Sequence, residues 1–67
     1  MEFRVRLQQL REKKRISRKV LSELCGLNPD AVRRYERNEQ EPTLHSLIAI
    51  ADFFDVTLDY LTGRNEK

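Results

Sequence analysis

Four arginines are the residues of this 67-residue chain best suited to hold a ligand: Arg18, Arg33, Arg34 and Arg37. A guanidinium group keeps its charge at all ordinary pH values and presents five N–H donors in a planar fork, which suits phosphate and other planar anionic or acceptor groups. Exposed charges contribute little to folding. Four arginines within one stretch of twenty residues therefore indicate a binding role.

Charge is divided unevenly along the chain. Residues 1–37 contain eleven Lys/Arg and five Asp/Glu, a net charge of +6, whereas residues 38–67 contain two Lys/Arg and six Asp/Glu, a net charge of −4. We expect one half to face a polyanion and the other half to be repelled by it. At this point the alternative stays open that the charges only solvate helix surfaces.

The sequence gives little support for disulfide, metal-binding or catalytic chemistry. Cys25 and His45 are the only residues of their types, so no intrachain disulfide, metal site or cofactor is expected. Cys25 is expected to be a small buried apolar residue and His45 a surface residue. No nucleophile–base pair, carboxylate dyad or phosphate loop suggests an enzyme. With no signal peptide and no apolar membrane span, a cytoplasmic protein without membrane association is predicted.

The elements that position the arginines begin with two short helices. Apolar residues spaced i, i+4, i+7 predict a first amphipathic helix, which fades in the cations at 13–15. These apolar residues are Phe3, Leu7 and Leu10. Ser17 is a good N-cap for a second helix, from Arg18 to about Cys25. Gly26 follows, where a sharp turn needs a positive φ.

A third helix, spanning about 30–37, is predicted to start at Asn28-Pro29, with Asn28 as the N-cap and Pro29 in the first helical position. Asn38 can supply a left-handed residue at its end.

Two further helices are predicted, capped by Thr43 and Thr57, with Asp55 ending the fourth and Gly63 the fifth. The fourth carries an apolar stripe of Leu44, Leu47, Ile48, Ala51 and Phe54. No alternation suits a strand, so the fold class is all-α, with one domain over 1–63 and a tail at 64–67.

The second and third helices and the three-residue turn between them have the layout of a helix-turn-helix. Five residues are expected to point inward and fix the crossing angle: Leu21, Cys25, Leu27, Val32 and Tyr35. Ser22 is small because the third helix passes close to it, and Gly26 permits the turn. The outer face of the third helix is then available for bases and phosphates.

Residues 3–63 resemble the Cro/cI (XRE) family of phage and bacterial transcription regulators. The matching segments are Leu10-Arg11-Glu12-Lys13-Lys14, Ile16-Ser17, Gly26-Leu27-Asn28, Arg34-Tyr35-Glu36-Arg37-Asn38, Pro42-Thr43-Leu44, Leu47-Ile48, Ala51-Asp52-Phe53-Phe54, Val56-Thr57-Leu58-Asp59-Tyr60-Leu61 and Gly63. No single segment is specific, but their order and spacing are.

The resemblance implies a compact five-helix bundle of the lambda-repressor-like type, whose third helix enters the DNA major groove while the second lies across it. The implied base contacts are Asn28, Pro29, Asp30, Arg33 and Arg34. The implied phosphate contacts are Arg11, Arg18, Arg37 and, at the start of the fourth helix, Thr43. The implied structural positions of the motif are Leu21, Ser22, Gly26, Leu27, Val32, Tyr35 and Glu36. Glu36 is implied to pair with Arg11, tying two helices together and orienting Arg11 toward a phosphate.

Some positions depart from the family pattern. Arg18 stands where glutamine is usual, which keeps a phosphate contact but loses an amide bridge. Pro29 offers only an apolar contact, for instance to a thymine methyl group. Asp30 either accepts from cytosine N4 or serves as a capping carboxylate that repels phosphate. Specific readout therefore falls mainly on Arg33 and Arg34, although each could instead clamp a phosphate.

Val20 and Leu24 stand where the family usually places charged residues. They either pack under the basic end of the first helix or form an exposed patch for a partner protein. Charging Leu24 distinguishes the two.

Two classes of function follow. The first is sequence-specific binding of double-stranded DNA by a regulator, most simply a repressor, that acts in the cytoplasm and on the nucleoid as a homodimer on a palindromic operator. The second is a protein-interaction module such as an antitoxin or anti-repressor. The presence of Arg18, Arg33, Arg34 and Arg37 favours DNA binding, because a protein-interaction module has no reason to retain them. The expected dimer surface is Phe53, Leu58, Tyr60 and Leu61, and a regulatory protein partner remains open.

Overall fold

Five α-helices enclose one core in the computed structural model, which describes residues 2–64. The helices are α1 (Phe3–Lys13), α2 (Arg18–Leu24), α3 (Ala31–Glu36), α4 (Leu44–Phe54) and α5 (Leu58–Thr62). No strand occurs between residues 2 and 64, and the predicted all-α, five-helix fold is confirmed. Of the predicted tail at 64–67, only Arg64 lies within the described residues.

Hydroxyl side chains begin three of the helices, at the positions that the sequence predicts. The side-chain oxygens of Ser17, Thr43 and Thr57 each accept a hydrogen bond from the backbone N–H three residues ahead, at 3.0–3.1 Å. Each bond satisfies one of the backbone donors that a helix N-terminus leaves without an intrahelical partner. The starts of α2, α4 and α5 are therefore determined locally.

The third helix starts later than predicted. The side chain of Asn28 accepts from the N–H of Asp30 at 2.9 Å, as an N-cap would, but its carbonyl accepts from the N–H of Ala31 at 2.8 Å. Residues 28–31 therefore close an i→i+3 turn, and regular helix occupies Ala31–Glu36 only. The Asp30 carboxylate makes no capping bond, so the capping role considered for it is wrong.

Between residues 2 and 64, five residues have left-handed backbone conformations. Gly26 (φ 73°) and Asn38 (φ 59°) adopt them as predicted, and Gly63 (φ 81°) and Asp55 (φ 57°) follow the helices they terminate. Arg15 (φ 58°) was not anticipated. A side chain with a β-carbon is disfavoured in this conformation, and only glycine and, less readily, asparagine and aspartate adopt it routinely.

All five helices contribute to the core. Its buried apolar residues are Phe3, Leu7, Leu21, Ala31, Val32, Tyr35, Ile50, Ala51, Phe54 and Leu61. Phe3 and Tyr35 meet edge-to-face with their ring centroids 5.7 Å apart, which joins α1 to α3. The backbone N–H of Glu2 donates to the carbonyl of Thr62 at 3.2 Å, which joins the start of α1 to the end of α5.

The apolar stripe predicted for α4 was partly wrong. Leu44 and Ile48 are 66% and 44% exposed, whereas Ile50, which was outside the stripe, is fully buried. The buried face is rotated toward Ser46, whose side chain is buried because it bonds to Tyr35 and Thr43. A hydroxyl with partners inside the fold can occupy a position that apolarity alone assigns to leucine.

Replacing Gly63 by alanine is expected to lower the free energy of unfolding by about 2 kcal/mol, against about 1 kcal/mol for Gly26→Ala. Both glycines have positive φ, but a β-carbon at Gly63 would lie 2.8 Å from the β-carbon of Glu2, whereas one at Gly26 has nothing within 4 Å. Urea denaturation of the two variants measures the difference. Equal losses would contradict the close approach at Gly63.

Candidate nucleic-acid interface

A buried serine seats α3 on α2. The hydroxyl of Ser22 donates to the carbonyl of Arg18 at 2.8 Å and accepts from the N–H of Val32 at 3.0 Å, and both Ser22 and Val32 are fully buried. Since Asp30 provides no cap, Ser22 supplies the acceptor for the first turn of α3 from a neighbouring helix. The sequence had suggested only that residue 22 should be small, and its hydroxyl was the missed signal.

Ser22→Ala is expected to lower the free energy of unfolding by about 1–3 kcal/mol, because the buried N–H of Val32 loses its acceptor while the volume stays nearly the same. Thermal unfolding measures the loss. Tyr35→Phe is the comparison: it removes a buried hydroxyl whose acceptor, Ser46, keeps Thr43 as a partner, so the expected loss is about 1 kcal/mol or less. A smaller loss for Ser22→Ala than for Tyr35→Phe would contradict the seating role.

An ion pair ties the C-terminal end of α3 to α1. Nε and Nη2 of Arg11 donate to the two carboxylate oxygens of Glu36 at 2.6 and 3.1 Å, and Nη1 donates to the carbonyl of Ile16 at 3.0 Å. The hydrogen bond to Glu36 raises the pKa of Arg11 and outweighs the opposing effect of burial. Three of the five N–H groups of Arg11 are thus engaged within the protein. The implied pairing is present, and at most two N–H groups remain for the phosphate contact implied for Arg11.

A hydroxyl network joins α3 to the start of α4. Tyr35 donates to Ser46 at 3.0 Å, and Thr43 donates to the same oxygen at 3.1 Å. Ser46 is buried and was not among the predicted site residues. Together with Ser22 and Arg11, this network fixes α3 from three neighbouring helices.

The outer face of α3 carries its arginines in unequal electrostatic settings. Arg34 is exposed and has no carboxylate oxygen within 4.0 Å among residues 2–64. Arg33 lies 3.5 Å from Asp30, and Arg37, the residue that follows α3, lies 3.0 Å from Glu39. Arg34 is therefore the arginine of α3 whose charge is least compensated by its neighbours.

An open groove runs between α3 and the start of α4. Six of its lining residues are Leu27, Asn28, Ala31, Arg34, Gln40 and Thr43. The structure thus brings three of the predicted contact residues, Asn28, Arg34 and Thr43, to one groove. Pro29 and Asp30 are exposed on the turn before α3, and Arg18 is half-exposed at the start of α2, 3.9 Å from Glu36.

The predicted dimer surface needs one correction. Leu61 is fully buried in the core of its own chain and cannot also form an intermolecular surface. Leu58 and Tyr60 are 38% and 43% exposed, and Phe53 is half-buried. The guanidinium of Arg6 lies 4.4 Å from the centroid of the Tyr60 ring, so one face of that ring is covered.

The outer face of α2 carries two exposed apolar side chains beside its charged residues. Val20 and Leu24 are 42% and 59% exposed, so the alternative that they pack under α1 is wrong. Cys25 is half-buried against the core, and this burial raises the pKa of its thiol. Within residues 2–64 no helix is long and apolar enough for a membrane span, and no group of three His, Cys, Asp or Glu side chains is arranged to hold a metal ion.

The family model described as helix-turn-helix matches residues 7–61, which covers all of α2 and α3 and most of the remaining helices. The chain belongs to the helix-turn-helix family. The resemblance to Cro/cI-type regulators is therefore confirmed, and the hydrogen bonds at Ser22, Glu36 and Tyr35 are the contacts by which this helix-turn-helix protein holds its third helix.

Two similar proteins are bacterial regulators. This helix-turn-helix protein is 37% identical to the HTH-type transcriptional regulator AnsR of Bacillus subtilis over 92% of the chain and 53% of that protein. It is 36% identical to the HTH-type transcriptional activator BcrR of Enterococcus faecalis over 98% of the chain and 32% of that protein. The chain thus spans about half or less of the length of these two relatives.

A solved structure with the same fold is that of the P22 c2 repressor protein in complex with a synthetic operator. The two chains align with a TM-score of 0.84 at 27% identity, over 94% of this chain and 96% of the other. The fold similarity therefore extends over nearly the whole of this chain.

Proposed function

We propose that the protein binds double-stranded DNA in a sequence-specific manner through the major groove and regulates transcription. The observation that carries the proposal is the outer face of α3, a helix fixed by three neighbours. Arg34 on this face has no carboxylate oxygen within 4.0 Å among residues 2–64, and Arg33 is partly paired with Asp30. A helix held in this way can present side chains to base edges with little freedom to lose on binding.

Base contacts are proposed for Asn28, Pro29, Asp30, Arg33 and Arg34, and phosphate contacts for Arg11, Arg18, Arg37 and Thr43. The positive half of the chain, residues 1–37, contains α1, α2 and α3, whereas the negative half contains α4 and α5. This division supports a complex in which α2 and α3 face the DNA and the C-terminal helices lie away from it.

A homodimer on a palindromic operator is part of the proposal. The described chain measures 34 × 23 × 18 Å, so two copies side by side can hold their α3 helices about 34 Å apart, one turn of DNA. Exposed apolar side chains on α4 and α5 support such a contact. They are Leu44, Ile48, Leu58 and Tyr60.

Repression, in the cytoplasm of a bacterial cell, is the proposed mode of regulation. The support is the fold similarity to the P22 c2 repressor, whose structure was solved in complex with a synthetic operator.

The test is selection of tight-binding duplexes from a random DNA pool near physiological salt, with light scattering of the protein alone and on the selected duplex. A two-fold symmetric motif bound by two copies is the expected result. An asymmetric motif bound by one copy would contradict the dimer and leave DNA recognition standing. No enriched motif, with binding in the range of about 10⁻⁴–10⁻⁶ M, would contradict specific recognition and favour the protein-interaction module.

A further inference from the structure

Arg15 occupies a position that no contact within the described fold explains. Its φ of 58° lies in the left-handed region, where glycine is favoured and a β-carbon is disfavoured. Its backbone N–H donates to the carbonyl of Glu12 at 3.0 Å and helps to terminate α1, a bond that glycine would make equally well. The side chain is exposed, makes no hydrogen bond and has no carboxylate oxygen within 4.0 Å among residues 2–64.

Arg15 belongs to a cluster of cations at the junction of α1 and α2, here called the basic corner. Its members are Lys14, Arg15, Arg18 and Lys19, all exposed. Glu36 binds Arg11 at 2.6 Å and lies 3.9 Å from Arg18, and none of the other three cations has a carboxylate oxygen within 4.0 Å among residues 2–64. The basic corner therefore keeps most of its positive charge.

The basic corner lies beside the C-terminal end of α3. Arg18 approaches Glu36, the last residue of α3, at 3.9 Å, and Arg11 bridges Glu36 to the carbonyl of Ile16 next to Arg15. A helix of six residues is about 9 Å long, and the major groove of B-DNA is about 12 Å wide. Cations just beyond the end of such a helix are well placed to meet the phosphates that border the groove.

We propose that Arg15 binds the DNA backbone beside the base pairs that α3 contacts, with Lys14 and Lys19 extending the same phosphate contact. The strained backbone of Arg15 is kept because glycine, the residue that fits its conformation, cannot provide the charge. The inference rests on the proposed function. It adds a phosphate contact by Arg15, which precedes the two helices of the motif, and this contact carries a cost in stability.

The test measures unfolding and DNA binding in the same set of variants. Arg15→Gly removes the charge and the strain, and Arg15→Lys keeps both. Arg64→Ala removes one exposed cation elsewhere. Arg64 follows α5, whose Thr62 accepts a hydrogen bond from the N–H of Glu2 before the start of α1, whereas the basic corner lies between α1 and α2. A fluorescent 30-base-pair duplex of mixed sequence is the probe, since phosphate contacts do not depend on sequence.

Arg15→Gly is expected to raise the Tm by about 2–4 °C while weakening binding about three- to tenfold at 0.1 M salt. The slope of log affinity against log salt concentration should fall in magnitude by about 0.9, the contribution of one phosphate contact. Arg15→Lys and Arg64→Ala should keep the wild-type slope.

An unchanged slope or a lower Tm in Arg15→Gly would overturn the inference while the wild-type protein still binds DNA. Equal loss of slope in Arg64→Ala would also overturn it, because the effect would then report net charge alone. If the wild-type protein binds no duplex in a salt-dependent manner, the proposed function fails and this inference with it.

Discussion

Replacing Arg11 by methionine is expected to lower the free energy of unfolding by about 2–4 kcal/mol. The substitution keeps an unbranched apolar side chain but leaves Glu36, whose side chain is 4% exposed, with only Arg18 at 3.9 Å. A buried carboxylate without a close cation costs more than the intact pair contributes. Because the hydrogen bond to Glu36 raises the pKa of Arg11, a rise in pH removes the guanidinium's part of this contribution only at strongly alkaline pH, as the pH passes the folded pKa of Arg11.

The double variant Arg11→Met/Glu36→Leu separates the ion pair from packing. It removes both charges and is expected to unfold within about 1 kcal/mol of the wild-type protein in urea. Glu12→Gln is the matched control, since Glu12 lies 3.9 Å from Arg11 but is 60% exposed, and it should change the free energy of unfolding by less than about 0.5 kcal/mol. A double variant as unstable as Arg11→Met would show that shape rather than charge is the critical property.

Arg34→Ala is expected to weaken binding to the selected duplex about 10–100-fold, a larger loss than that expected for Arg33→Ala. Arg34 has no carboxylate oxygen within 4.0 Å among the described residues, whereas Arg33 lies 3.5 Å from Asp30 and must share its charge with that neighbour. Fluorescence anisotropy with the selected duplex and with a mixed-sequence duplex measures both affinity and discrimination.

Arg33→Ala is the matched control for Arg34→Ala, with a smaller expected loss. If Arg34 contacts a base, its removal lowers discrimination at one position of each half-site. If it contacts a phosphate from the groove that it shares with Thr43, both duplexes weaken equally and the salt slope falls by about 0.9. A larger loss for Arg33→Ala would contradict the electrostatic ranking of the two arginines.

The helix starts and stops that were predicted correctly are local features of the chain. Ser17, Thr43 and Thr57 cap their helices through bonds to residues three positions ahead, and such bonds need no tertiary partner. The late start of α3 differs because Asn28 makes both its side-chain and carbonyl bonds within one turn. Two competing local bonds of similar length are hard to rank from residue types alone.

The incorrect predictions of which residues are buried have their causes in tertiary packing. Ser46 is buried because Tyr35 reaches it from α3, and this rotates α4 so that Ile50 faces the core while Leu44 and Ile48 face solvent. Leu61 is buried because α5 packs against both α1 and α4. The periodicity of apolar residues predicts that a helix has an apolar face. Which residues of that face are buried depends on the neighbouring helices, which the pattern does not identify.

The geometry of the candidate site was predicted only in part. The pairing of Arg11 with Glu36 is present as the resemblance implied, but the ion pairs of Arg33 and Arg37 and the backbone of Arg15 were not foreseen. An exposed arginine can reach several carboxylates with similar interaction energies. The spacing of residues in the sequence does not determine which of them it pairs with.

The contact between the first and last helices has a consequence for how the protein is made. Leu61 fills the core beside α1, and the N–H of Glu2 bonds to the carbonyl of Thr62, sixty residues later in the chain. During synthesis α1 leaves the ribosome before α5, and its apolar face stays incompletely covered until α5 has followed it. We therefore expect this contact, whose residues are far apart in the sequence, to form late in folding, when almost the whole domain has already been translated.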